Sequence, residues 1–288
     1  MKLVTFDAGQ GPRPGALAGG GIVDLGTVAQ DLLALIDGGA AALDAARAAV
    51  RQAARAVPLE GARLLAPIPR PRKNIVCLGM NYAAHAIESL RAKGLPETLP
   101  EHPVFFTKAP TTVIGPDADV PLDASVTQKL DWEVELGVVL GRTGKNIPRG
   151  EALAYVFGYT VINDLSARDL QTRHQQFYKG KSLDGTCPMG PCIVTADELP
   201  DAGDLALSLR VNGRTMQESR TRDLIFDLPT CIAELSRGQT VEAGDVISTG
   251  TPSGVGMGMD PQVWLKPGDE MEAEIEGIGV LRNRVVAA

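Results

Sequence analysis

The residues best placed to do chemistry lie in one largely apolar run, Asp131-Trp132-Glu133-Val134-Glu135-Leu136-Gly137-Val138-Val139-Leu140-Gly141. Its pattern predicts a strand over 133–140. On a pleated backbone Glu133 and Glu135 share one face, and Trp132, Val134 and Leu136 take the other. Two like charges side by side on an otherwise apolar strand repel and destabilise it. A cation between them reverses that sign. A second predicted strand, 156–162, closes on Asn163-Asp164 and supplies a third carboxylate if it pairs nearby. Three carboxylates with open positions suit a hard divalent ion, Mg²⁺ or Mn²⁺. A solvated sheet face carries the same Glu-x-Glu alternation without an ion, and these residues alone leave both readings open.

Other groups have chemical potential of their own. His85 and Glu88 are three apart on a predicted helix around 82–92, so they share a face. A carboxylate bonded to one ring nitrogen raises the basicity of the other. An incidental surface pair fits the same spacing. Arg168 and Gln171 fall on a predicted helix, 166–177, directly after Asp164, where Arg168 equally suits a surface ion pair with Asp169 or Asp164. Lys181 sits in a predicted loop, where a lysine is ordinarily solvated. The Gly-rich run 250–258 lacks the order and βαβ context of a dinucleotide fingerprint. It follows a predicted strand, so its N–H groups can approach an anion closely; a plain turn is the other reading.

The elements that must position these groups are mostly short strands. After residue 74 they are predicted at 74–78, 104–107, 112–114, 133–140, 156–162, 192–195, 205–211, 246–249, 270–275 and 280–285, divided by Gly and Pro. Helices are predicted at 82–92, 166–177 and 228–236, the last with Pro229 in its first turn. The expected fold class is α+β and β-rich. Residues 1–70 differ in character. They predict a small hairpin, 2–6 with 20–25, joined by a Gly/Pro-rich segment, then helices at 28–36 and 40–57. The proline-rich 66–71 reads as a stiff linker. The expected division is therefore a small N-terminal α/β domain, 1–70, and a larger β-rich domain, 71–288.

Composition narrows the function classes. A net charge of −7 over 288 residues argues against nucleic acid as a partner. No apolar run is long enough for a membrane span. The start, Met1-Lys2-Leu3-Val4-Thr5-Phe6-Asp7, alternates like a strand and lacks an apolar signal core. Cys77, Cys187, Cys192 and Cys231 show no C-x-x-C spacing and read as buried free thiols, which with the missing signal core points to the cytoplasm. With three histidines, a His-rich metal site is not expected.

Five blocks, in order, resemble the fumarylacetoacetate hydrolase superfamily. They are Asn81-Tyr82-x-x-His85-x-x-Glu88, Asp131-x-Glu133-x-Glu135-Leu136, Asn163-Asp164-x-x-x-Arg168-Asp169-x-Gln171, Lys181-Ser182-x-Asp184-x-x-Cys187-Pro188-x-Gly190-Pro191 and the run 249–256. The likeness spans about 74–285. The resemblance implies a mixed β-sandwich roll, usually dimeric, and Mg²⁺ or Mn²⁺ held by Glu133, Glu135 and Asp164. It implies His85 as general base oriented by Glu88, and Lys181, not Lys179, as the active-site lysine facing a substrate carboxylate or oxyanion. It also implies Arg168, Gln171, Gly250 and Thr251 as substrate-binding residues. The segment after Glu88, from Lys93 to Pro96, is expected to end the helix and let it act as a lid. Stretches 128–131 and 220–223 are similar to members acting on sugar acids or in aromatic catabolism.

The implied chemistry starts from a small 2-oxo or 2,4-dioxo acid. The expected reaction is hydrolysis of an acylpyruvate: the His85–Glu88 pair activates water, water attacks C4, the C3–C4 bond breaks, and pyruvate or a similar acid leaves. Decarboxylation of an oxaloacetate-type acid and enol/keto isomerisation use the same ligands and stand as alternatives. A non-catalytic 2-oxo acid sensor is a remoter reading, since ligands, base and lysine are all present.

Overall fold

The computed structural model describes residues 1–92 and 94–288. Lys93, at the end of the expected lid helix, lies outside the described residues. The strand Val134–Leu140 is buried along its whole length. It pairs antiparallel with Val156–Asn163 on one side and Val246–Ser248 on the other. Burial on both faces explains why the run is almost entirely apolar. Val246–Ser248 continues in parallel to Ile75–Gly79, which pairs antiparallel with Val104–Lys108. On the far side Val156–Asn163 pairs with Cys187–Thr195.

Among the described residues this mixed sheet has twelve strands, and a second sheet has five: Arg214–Arg220, Ala206–Val211, Glu270–Ile275, Gly279–Ala287 and Asp119–Leu122. One apolar cluster joins the two sheets, with Leu136, Val138 and Val161 from the first and Leu207, Leu209, Ala273 and Leu281 from the second. A second cluster lies under the helices Leu32–Asp37 and Gly39–Gln52 and includes Leu32, Leu35, Ile36, Val139, Ile162 and Ile193. The result is the β-rich α+β sandwich expected from the sequence.

The N-terminal strands are part of the large sheet. Lys2 pairs with Val194 and Leu3 with Ile193. The expected hairpin gains a middle strand, Arg13–Ala18, inside the Gly/Pro-rich segment. Gly15 is needed there because a Cβ would lie 2.5 Å from Ile22 Cγ2. The helix expected over 166–177 is broken. Ser166–Ala167 pairs with Leu130–Asp131, the helix runs Arg168–Arg173, Gln175 takes a φ of 59°, and a short turn of helix follows at Tyr178–Lys181. That break carries Lys181 back toward Asp164. The helix Leu228–Ser236 forms as expected, capped by Asp227, which accepts from Thr230 N–H. Among the described residues no helix is long and apolar enough to cross a membrane. All four cysteines are buried and free.

Candidate metal and acid–base site

Glu133, Glu135 and Asp164 converge because the strand pairing forces it. Val134 lies opposite Asn163, and Asp164 N–H donates to Glu133 carbonyl at 2.8 Å. Each of the three offers an oxygen within 4.8 Å of the others, and all three are buried. The sheet also supplies their surroundings. Ser248 Oγ and Gly250 N–H donate to Glu135 Oε2 at 2.6 and 2.8 Å. Gln217, reaching across from the second sheet, accepts from Val134 N–H between the two glutamates and donates to Thr251 Oγ1.

Three buried cations face these acids. Lys181 Nζ lies 2.6 Å from Glu133 Oε2 and 2.7 Å from Asp164 Oδ2. Arg168 Nη2 lies 2.6 Å from Glu133 Oε1, its Nε donates to Asp131 Oδ2 at 2.8 Å, and its Nη1 donates to Gln171 Oε1 at 3.1 Å. Lys108, fully buried, sits 2.8 Å from Asp164 Oδ1 and donates to Leu165 carbonyl at 3.0 Å. That ammonium is close enough for an ion pair, yet Asp164 Oδ1 receives no hydrogen bond of good geometry and is fully buried. With Asp131, four buried carboxylates thus face three buried cations. An orphaned carboxylate oxygen, an all-oxygen donor set and more carboxyl groups than cations fit a hard divalent cation.

Proton affinities follow from this crowding. Burial pushes Glu135 well up, with Asp164 and Glu133 adding to the rise and Lys181 and Ser248 opposing it only in part. Burial also acts on Glu133, but Lys181 and Arg168 outweigh it and hold that carboxyl well below the usual range. Lys181 and Arg168 are buried, which disfavours their charge, and the same carboxylates more than restore it.

His85 is brought to the site by the helix Ala83–Ala92. Asn81 pins the start of that helix. It donates to Thr249 and Phe226 carbonyls at 2.8 and 3.1 Å and accepts from Phe226 N–H at 2.8 Å. His85 Nδ1 is 3.2 Å from Glu88 Oε2, and both Glu88 oxygens accept from Gly254 N–H. A cavity of about 30 Å³ is lined by His85, Ser89, Glu133, Glu135, Arg168, Gln171, Lys181 and Thr251, together with Leu78, Met80, Phe106 and Phe177.

Of the residues singled out from sequence, His85, Glu133, Glu135, Arg168, Gln171, Lys181 and Thr251 meet at this cavity, with Glu88 and Asp164 bonded directly behind it. Gly250 stands apart from it, its N–H directed to Glu135. Arg168 pairs with Asp131 and Glu133, not with Asp169 or Asp164. Lys108 and the role of Asp131 were not read from the sequence. The one available signal for Lys108 was an ammonium closing an apolar strand.

Comparison with known proteins follows the same lines. The pattern described as "Fumarylacetoacetate (FAA) hydrolase C-terminal" matches residues 74–286. The oxaloacetate tautomerase YisK of Bacillus subtilis (strain 168) is 48% identical over 227 residues, covering 79% of this chain and 74% of that protein. The mitochondrial oxaloacetate tautomerase Fahd2a of Rattus norvegicus is 40% identical over 296 residues, covering 99% and 92%. The structure of maleylpyruvate hydrolase from Sphingobium sp. SYK-6 in complex with manganese(II) and pyruvate superposes with a TM-score of 0.82 at 30% identity, covering all of both chains. These findings correct the expected acylpyruvate hydrolysis, because relatives matching most of the chain at this identity are named tautomerases. The physical reason is that His85 and Glu88 alone tilted the reading toward water activation, whereas an imidazole that accepts a proton from water accepts one equally well from carbon. The cytoplasmic expectation is not supported either, since the rat relative is named mitochondrial. With the family pattern spanning most of its length, the chain belongs to the fumarylacetoacetate hydrolase family.

Proposed function

We propose that this protein is a divalent-metal-dependent tautomerase that interconverts the enol and keto forms of a short 2-oxo diacid of the oxaloacetate class. The observation that carries the reading is that His85, oriented by Glu88, opens on the same small cavity as Glu133, Glu135, Lys181 and Arg168. The tautomerase names of the relatives support it. Mg²⁺ or Mn²⁺ would be held by Glu133, Glu135 and Asp164, and when bound it supplies Lewis acidity toward the 2-oxo oxygen.

The chain's own residues do the rest. Lys181 and Arg168 offset the charge of the substrate carboxylates, and Gln171 and Thr251 line the space around them. His85 carries the proton. In the keto-to-enol direction the ring takes a proton from C3, electron density moves to the 2-oxygen, and the imidazolium then gives that proton to the oxygen, which resets the ring. The reverse direction returns it to C3, so no atom is gained or lost. Glu88, accepting from Nδ1–H, keeps the lone pair on the other ring nitrogen and stabilises the imidazolium when it forms. The cavity is lined by both the base and the charged groups that would hold an acid. An acid entering it displaces water from beside His85, which favours proton transfer at carbon over attack by water. We assign a homodimer by family resemblance, to be checked by light scattering across micromolar concentrations.

The test follows the ultraviolet absorbance of enol oxaloacetate as it converts to the keto form, with Mg²⁺, with Mn²⁺ and with chelator. Metal-dependent acceleration is expected without CO₂ release, and a panel of acylpyruvates is expected to stay intact. Enol decay no faster than in buffer, or pyruvate as the accumulating product, would overturn the reading.

A further inference from the structure

The Gly-rich run 250–258 does approach anions closely, and the anions are the protein's own carboxylates. Gly250 N–H bonds Glu135, Gly254 N–H bonds Glu88, and Gly256 and Met257 N–H bond Asp131 at 2.6 and 3.1 Å. Gly258 has a different relation to them. Its N–H donates to Val255 carbonyl. Its backbone lies outside the left-handed region, so conformation does not demand glycine there. Yet a Cβ on Gly258 would lie 2.2 Å from both Cγ and Cδ of Glu88 and 2.3 Å from its Oε1.

We propose that Gly258 is a positioning residue: its missing side chain is the space in which Glu88 lies, and the turn Gly256–Gly258 thereby seats Glu88 against His85. The His85–Glu88 contact is a single one at 3.2 Å, and the Glu88 side chain is 17% exposed. Held by that contact alone, a helix-surface glutamate samples many rotamers, and an exposed pair contributes little order. The seat closes off those rotamers from one side while Gly254 N–H fixes the carboxylate from another. The ring nitrogen facing the cavity therefore keeps its lone pair because a loop remote in sequence leaves room for a carboxylate.

Gly258→Ala is informative because the three nearest atoms all belong to one flexible side chain, so Glu88 is expected to give way and the backbone to survive. Gly256→Ala is not, since its Cβ would lie 2.0 Å from Val263 carbonyl oxygen. The inference rests on the tautomerase reading for its kinetic consequence, but its first readout needs no substrate. The chain has three histidines, so ¹⁵N-histidine NMR resolves the His85 ring. The wild type is expected to hold the Nδ1–H tautomer, and Gly258→Ala to shift toward a mixture as Glu88→Ala does. For enol–keto conversion of oxaloacetate with Mg²⁺, Gly258→Ala is expected to lower kcat by about 10- to 100-fold, part of a general-base contribution. In a Glu88→Ala background the same change is expected to alter the rate by less than about twofold, because the displaced group is already gone. An unshifted His85 spectrum in Gly258→Ala, or an equal rate loss with and without Glu88, overturns the proposal. If the wild type does not tautomerise oxaloacetate at all, the functional reading fails and the spectrum alone decides the seat.

Discussion

Lys108→Met isolates the charge balance beneath the metal site. Lys108 is fully buried, contributes the cation nearest Asp164 Oδ1, and among the described residues also donates to Leu165 carbonyl. Methionine keeps most of its length and apolar stem. Without a metal ion Glu135 is held protonated by burial and its neighbouring acids, so Asp131, Glu133 and Asp164 face Lys108, Arg168 and Lys181 in balance. The variant leaves one negative charge unbalanced. Breaking a buried pair by removing one partner costs about 3–5 kcal/mol. For a chain of this size that is roughly a 5–8 °C fall in the unfolding midpoint of the metal-free protein. A divalent ion at Glu133, Glu135 and Asp164 restores neutrality in the variant, so added Mn²⁺ should recover much of the loss and raise the variant's midpoint more than the wild type's. The assay is thermal and urea unfolding in chelator and in a Mn²⁺ series, with linkage giving the affinity from the midpoint shift. A metal-free Lys108→Met protein within about 1 kcal/mol of wild type would refute the reasoning, since a fully buried unpaired carboxylate oxygen does not come so cheaply.

Three further outcomes are expected. His85→Ala should slow enol–keto conversion by about 10²–10⁴-fold while leaving Mn²⁺ affinity, read by calorimetry, nearly unchanged; a wild-type rate under conditions where chemistry limits turnover would remove His85 as the base. Because burial and neighbouring acids raise Glu135 well above the ordinary glutamate value of 4.5, the metal must displace a proton there. Metal affinity should therefore keep rising with pH beyond about pH 5, with a log–log slope approaching one, and an affinity flat from that point upward would contradict the assignment. Tyr82 is buried, and its hydroxyl finds no hydrogen-bond partner among the described residues. Tyr82→Phe should then stabilise the protein by about 1 kcal/mol in urea unfolding, and a destabilised variant would mean the hydroxyl has a partner after all.

Much of the site was legible because strand periodicity and chain order carry it. Glu133 and Glu135 flank Val134, where one strand begins, and Asp164 directly follows Asn163, where its partner strand ends, so the pairing of Val134 with Asn163 brings the three together. His85 and Glu88 were legible through helical spacing. What failed to show were contacts made by residues remote in sequence. Lys108 closes an apolar strand and reads as a surface end until the pairing of Ile75–Gly79 with Val104–Lys108 buries it. Asp131 reads as one more acid until Arg168 and the N–H groups of Gly256 and Met257 all reach it. The strand Arg13–Ala18 was hidden because Pro14 and Gly15 argue for a loop. There tertiary packing overrides local preference, with Ile22 and Phe6 filling the space a side chain at Gly15 would need.

The choice between hydrolysis and tautomerisation was not in the residue types at all. Both reactions need charge stabilised at a 2-oxo oxygen and a base nearby, and on the proposed reading the same carboxylates, lysine, arginine and imidazole would supply these. The reactions part over what stands opposite the free nitrogen of His85. That depends on how the helix Ala83–Ala92 is docked, on Asn81 at its start and on Glu88 against the turn Gly256–Gly258. None of these contacts changes which groups are present. On the proposed reading each helps to set where the ring lies over the cavity, and hence whether it would meet a water or a carbon.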